Sequence, residues 1–233
     1  MSDATRVRRR LVRWLGPWTS PTAMPSDVTR SAVTIPAESG REMEVTLAVP
    51  GSGPILGGVL IAPGLHFGGA EEARMKRFIS ILAHSGLAVC APDVPDYVDQ
   101  VLRPSAPKDL GRALEHFLSM DLLPDGVAPA VFTISFGSWI GLEVACDPAF
   151  SDRIGGVVTF GGFADWRETL RFCVGLSYTD DPHRPRDPLN RPVCFMNIYD
   201  DIPGAPREPA QKEALFGTWR AFMEATWGRE EMK

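Results

Sequence analysis

The chain has 233 residues, 44% hydrophobic and 23% charged, proportions ordinary for one large globular domain with a substantial core. A net charge of −5 and an isoelectric point near 5.4 argue against a general nucleic-acid binder, which would be basic. No apolar run approaches the length a membrane-spanning helix needs.

The N-terminal stretch gathers Arg6, Arg8, Arg9, Arg10 and Arg13. Arg13 interrupts Leu11-Val12 at once, and Trp14-Leu15-Gly16-Pro17-Trp18 runs into a proline, so no secretory signal is expected here. Residues 1–30 read as a basic arm and connector. The arm is either flexible or a short helix packing its Leu and Trp on the body, with a membrane-surface or partner-binding role as the alternative. Two alternating runs follow, Ala32-Val33-Thr34-Ile35 and Glu42 to Val49, joined by Glu38-Ser39-Gly40-Arg41. This is the chemistry of an antiparallel hairpin at a sheet edge with one wet face.

From residue 55 the character changes. Ile55-Leu56-Gly57-Gly58-Val59-Leu60-Ile61-Ala62, Leu87-Ala88-Val89-Cys90-Ala91, Ala130-Val131-Phe132-Thr133-Ile134 and Ile154 to Phe160 are apolar on both faces. Such strands belong to a parallel sheet covered by helices on both sides. Between them, residues 71–85 place Met75, Phe78, Ile79 and Leu82 on one stripe, and residues 108–120 do so with Leu110, Ala113, Leu114, Phe117 and Leu118. A further helix opens after Ser135. The rhythm predicts a mostly parallel, doubly wound α/β sheet over residues 31–163 with the hairpin at its front. Residues 164–233 break the rhythm: a helix over 164–176, a tract rich in Asp, Pro and Arg over 179–191, and a long amphipathic helix over 207–227.

The four cysteines, Cys90, Cys146, Cys173 and Cys194, form no C-x-x-C pair and read as reduced, which suits a cytoplasmic protein. His66, His84, His116 and His183 have no ligand spacing, so no metal and no cofactor are expected.

Thr133-Ile134-Ser135-Phe136-Gly137 sits where a buried strand meets a helix. A nucleophile elbow needs small residues two before and two after the nucleophile, because strand and helix approach closely across the turn. Gly137 satisfies the second position, while Thr133 stands where glycine is usual. The competing reading makes Ser135 an ordinary helix N-cap. Pro63-Gly64-Leu65-His66-Phe67-Gly68-Gly69 follows the first buried strand; no G-x-G-x-x-G cradle is present, so a dinucleotide binder is disfavoured.

Taken with Ala91-Pro92-Asp93-Val94-Pro95 and Phe160-Gly161-Gly162-Phe163-Ala164-Asp165, these segments resemble the α/β-hydrolase superfamily, in particular its dienelactone-hydrolase-like and acyl-esterase-like branches, over about residues 30–175. The resemblance implies Ser135 as nucleophile and the backbone N–H groups of Phe136 and of Leu65 or His66 as the oxyanion hole. His66 itself would line or brace the loop. The family order of Ser, then acid, then His leaves Asp165 and His183 as acid and base. Asp165 reads more readily as the cap of the helix starting at Trp166, and His183 lies in a tract resembling a lid or an inter-helix loop. Residues 164–233 then read as the start of a helical cap, and the strands that carry acid and His in the family are not found. The expectation is a truncated or split product, or a chain without the conventional triad. The expected function is a serine hydrolase acting on small acyl substrates, with a non-catalytic binding or assembly domain as the alternative. The strand over 155–160 is expected to leave an apolar edge, leading to self-association or the need for a complementing chain.

Overall fold

The computed structural model describes residues 3–174 and 190–226. The chain divides into two compact units, residues 1–162 and 163–233.

The first unit is built on six strands: β1 (Val28–Pro36), β2 (Glu42–Pro50), β3 (Gly57–Ala62), β4 (Leu87–Pro92), β5 (Ala130–Ile134) and β6 (Gly156–Phe160). Their order is β1-β2-β4-β3-β5-β6. The hairpin β1–β2 is antiparallel and closes on Gly40, whose φ of +77° suits the turn. β2 joins β4 antiparallel, and β4, β3, β5 and β6 are parallel. The sheet is therefore the mostly parallel one expected, with the antiparallel hairpin at its front.

Five helices belong to this unit: α1 (Asp3–Leu15), α2 (Ala73–His84), α3 (Pro95–Val98), α4 (Ser105–Ser119) and α5 (Gly137–Cys146). The alternation of side chains along each strand sorts the core into two layers. Val59, Ile61, Val89 and Ala91 pack with Ile79, Leu82 and Ala83 of α2, and Phe78 lies against Phe132 with ring centroids 4.9 Å apart. Leu60, Cys90 and Val131 point the other way and, like Leu110, Ala113, Leu114, Phe117 and Ile140 of α4 and α5, are fully buried. Each such large aliphatic or aromatic side chain contributes about 1.5–3 kcal/mol through its burial. α2 begins on Glu72, whose carboxylate accepts the N–H groups of Arg74 and Met75 at 2.9 and 3.0 Å.

Two strand expectations change. The hairpin stands at the sheet edge as expected, with β1 outermost, but Thr46 and Ala48, on the face of β2 expected to be wet, are buried, Ala48 within the α2 core layer. β6, as apolar as its neighbours, is exposed along its whole length, with Val158 51% and Phe160 67% exposed. Among the described residues no strand pairs beyond it. Its composition suggests burial on two faces, which the structure does not give it, while its place at the end of the sheet is the apolar edge expected of residues 155–160.

α1 is the helical alternative for the N-terminal arm. Arg10 donates to the His84 carbonyl at 3.1 Å, Trp14 meets the His84 ring edge-on, and Arg77 of α2 donates to the carbonyls of Trp14 and Ala23 at 2.9 and 2.7 Å.

The second unit contains α6 (Trp166–Val174), α7 (Asn190–Ile198) and α8 (Pro209–Thr226). Its core is aromatic: Tyr199 stands edge-on to Phe216 at 5.4 Å, Phe216 stacks on Trp219 at 5.9 Å, and Met223 is fully buried. The tract expected to be irregular over 179–191 falls mainly outside the described residues, and so does His183.

Candidate active site

Ser135 leaves β5 with φ of +52°, in the left-handed region that a non-glycine residue adopts at a cost of roughly 1–2 kcal/mol. The surroundings hold it there. Its N–H donates to the Phe160 carbonyl of β6 at 3.0 Å, and its carbonyl accepts the Ser138 N–H at 3.0 Å as α5 begins. A helix N-cap normally has extended backbone, so the positive φ distinguishes this turn from the simple cap.

Glycines permit the close approach on which the turn depends. A Cβ on Gly137 would collide with the backbone carbonyl oxygens of Ala62 and Pro63, so the first turn of α5 lies directly against the end of β3. Thr133, the departure from the usual pattern, is accommodated from the other side. Its Cγ2 fills the space that a side chain on Gly141 of α5 would take, and Thr133 is fully buried.

The loop over residues 63–69 lies beside this turn. A Cβ built on Gly64 would sit 3.5 Å from the Ser135 Cβ and 3.3 Å from the Ile134 carbonyl oxygen. Within the loop the two expected donors differ. The His66 N–H donates to the Tyr97 carbonyl at 3.2 Å, whereas the Leu65 N–H makes no such bond among the described residues. The His66 ring is a brace: Nδ1 accepts the Gly68 N–H at 2.9 Å and the ring stacks on Phe67 at 4.6 Å. Burial, with help from Arg74 and against the pull of Glu72, holds the imidazole below its ordinary pKa. It is therefore neutral near pH 7, with its proton on Nε2.

Just beyond β4 stand Asp93, which the sequence offers within Ala91-Pro92-Asp93-Val94-Pro95 without a role, and Tyr97, which no sequence motif marks. Tyr97 is almost wholly buried; its carbonyl takes the loop and its hydroxyl donates to the Phe136 carbonyl at 3.0 Å. Asp93 accepts the Ala70 N–H at 2.7 Å, and its carboxylate occupies the space where a Cβ on Gly69 would stand. Gly69 also has a φ of +49°, so glycine is required there on two counts. The available signal was the placement of both residues at the carboxyl end of a buried parallel strand, where sites in such sheets collect.

Burial pushes the Asp93 carboxyl up to about 6; the Ala70 N–H opposes this, and the nearby Glu44 and Glu71 carboxylates add to it. Between about pH 4 and pH 6 the folded chain then holds a proton the unfolded chain has lost. This group's contribution is present below the unfolded pKa and lost as pH rises through 6. Asp93→Asn is expected to be more stable than wild type by a margin that opens between those pH values and reaches roughly 1–3 kcal/mol. Urea unfolding at acidic and neutral pH checks this, and an equal margin at both would contradict it.

Asp165 belongs to the second unit and His183 lies outside the described residues. Asp165 caps α6, its Oδ1 accepting the Glu168 N–H at 3.0 Å and its carbonyl accepting the Thr169 hydroxyl at 2.7 Å. His84 packs against Trp14, and His116 lies on α4. Among the described residues no cluster of His, Cys, Asp or Glu could hold a metal ion, and no helix is long and apolar enough to cross a membrane.

No protein-family model matches the sequence, and no curated protein matches it. Solved structures do. The chain aligns with the esterase Est22 in its p-nitrophenol complex at a TM-score of 0.53 and 16% identity, covering 71% of this chain and 53% of that one. It aligns with brefeldin A esterase, a bacterial homologue of human hormone-sensitive lipase, at 0.50 and 18%, covering 97% and 62%. The fold is that of the α/β-hydrolases. A hypothetical protein of Pseudomonas aeruginosa shares it at a TM-score of 0.50 and 18% identity, covering 71% of this chain and 51% of that one. The chain thus spans about half to three-fifths of the length of these proteins. In this chain, Ser135, Phe136 and the loop carrying Leu65 come together at the carboxyl edge of the sheet.

Proposed function

We propose that this chain is a serine hydrolase scaffold acting on carboxylic esters or related acyl compounds, with Ser135 as nucleophile. The observation that carries the reading is the positive φ of Ser135 on a strand-to-helix turn with the Gly64 backbone packed against its Cβ. The Phe136 and Leu65 N–H groups are the assigned oxyanion donors. The Ser135 oxygen attacks the acyl carbonyl, the alcohol leaves with a proton, and water then attacks the acyl-enzyme to release the acid and regenerate the hydroxyl. The esterases that share the fold supply the substrate class. Asp165 and His183 are the acid and base that the chain offers after Ser135. A fluorophosphonate probe, followed by mass spectrometry of the labelled peptide, tests the reading; folded protein that takes up no label defeats it.

One observation favours the second reading, a non-catalytic domain used for binding or assembly. Among the described residues, His66 is tied into its own loop, His84 and His116 lie on α2 and α4, and Asp165 serves as a helix cap. A serine hydroxyl without a base is a poor nucleophile near neutral pH.

The exposed β6 supports an assembly proposal compatible with either reading. The strand carries no charge and no proline, the features that ordinarily block edge pairing. A second copy of the chain is its assigned partner, pairing β6 with β6. Val158→Lys is expected to weaken self-association at least about tenfold in sedimentation velocity, and a wild-type chain monomeric at all concentrations would refute the pairing.

A further inference from the structure

α1 is the most basic part of an acidic protein: Arg6, Arg8, Arg9, Arg10 and Arg13 stand against Asp3 alone, in a chain of net charge −5. The helix is fastened to the body rather than trailing from it. Its inward side presents Leu11 to the α2 core layer and Trp14 to His84, and Arg77 holds the Trp14 carbonyl. The following turn is fixed as well, since the Trp18 indole N–H and the Thr19 hydroxyl donate to the Arg13 carbonyl at 2.9 and 2.6 Å.

The outward side is unusual in composition. At 100° per residue, Arg8, Val12 and Leu15 fall along one strip and Arg9 and Arg13 along the next. Val12 is 58%, Leu15 52% and Trp18 66% exposed, and Arg8, Arg9 and Arg13 are exposed beside them. Among the described residues none of these three arginines has an acidic partner. A solvated helix face would carry charges of both signs and few large apolar groups. Here apolar side chains alternate with unpaired cations on a helix that cannot turn them inward.

The geometry points to α1 and Trp18 as a docking surface for an anionic lipid bilayer, which the helix meets lying flat. A bilayer surface offers, within a few ångströms, both groups this face requires. The arginines meet a layer of phosphodiesters, and Val12, Leu15 and Trp18 enter the acyl boundary just beneath. Tryptophan is the side chain most at home at that level. A nucleic acid would satisfy the arginines but leave the apolar trio in water, which is why lipid is the assigned partner. The docking surface does not depend on the chemistry of Ser135, so a failed label there leaves it standing.

The full chain is mixed with vesicles of phosphatidylcholine, with or without phosphatidylglycerol, and binding is read by co-sedimentation. Binding to the anionic vesicles alone, weakening as salt is raised, is the expected result. Arg8→Glu/Arg9→Glu/Arg13→Glu is expected to weaken it on the order of a hundredfold, at about fivefold per arginine lost. Val12→Ser/Leu15→Ser is expected to weaken it at least about tenfold. These side chains point to solvent, so unchanged melting curves establish that the variants are folded. Equal binding to neutral vesicles, no binding to anionic ones at low salt, or indifference to either variant overturns the proposal. Duplex DNA that displaces the vesicles overturns it in favour of a general polyanion site.

Discussion

Ser135→Ala is expected to abolish labelling by a fluorophosphonate and to lower ester hydrolysis on the order of 10⁶-fold. In the proposed reaction the serine oxygen is the atom that bonds to the acyl carbon. The fold should hardly respond, because alanine meets the same positive φ of +52° and keeps the same backbone bonds to Phe160 and Ser138. Ser135→Gly separates chemistry from strain. It is equally inert toward the probe but relieves the left-handed backbone, so it should be more stable than Ser135→Ala by about 1 kcal/mol. Intact-mass labelling and thermal unfolding of the three proteins read both effects. Residual labelling at wild-type rate in Ser135→Ala would place the nucleophile elsewhere.

Gly137→Ala should be the most disruptive single-methyl change in the first unit. The added carbon meets two backbone carbonyl oxygens, those of Ala62 and Pro63, and not a flexible side chain that could swing away. Either α5 lifts off β3 or the start of the loop moves. Overpacking of this kind costs about 3 kcal/mol, at the upper end of its usual range. For a chain of this length that corresponds to a fall in Tm of roughly 6–12 °C. The displacement also changes the distance between the Leu65 and Phe136 N–H groups. Where one oxyanion donor is lost, turnover falls about 100- to 1,000-fold. A variant that melts with wild type would show that the approach of helix to strand is looser than described.

The sheet was legible wherever burial followed from local composition. The apolar runs of β3, β4 and β5 and the stripes of α2 and α4 could be read directly, because a strand covered on both faces has no polar side to show. β6 has the same composition and the opposite environment, since exposure there is decided by what lies next to it. The elbow was legible as a pattern and Gly137 as its necessary small residue. The tolerance of Thr133 was not, because Gly141, which makes room for it, belongs to a helix face and shows no link to the strand until the two are packed. The resemblance implies Leu65 as a donor and leaves His66 as the alternative. The hydrogen bond from His66 to Tyr97, 31 positions along the chain, is what separates them. The roles of Asp93, quoted only as part of a motif, and of Tyr97 were hidden for the same reason: an isolated carboxyl and phenol reveal them only through the loop they hold. Asp165 could be read as an acid or a cap, and its bonds to Glu168 and Thr169 place it as a cap.

Tyr97 grips the loop through its carbonyl and the elbow through its hydroxyl. The loop and the elbow therefore share one spacer, and the distance between them is set by a residue of the short helix α3. Anyone re-engineering this scaffold for bulkier acyl groups would gain little from trimming side chains around the serine alone. Changing the phenol in the short helix would shift loop and elbow together.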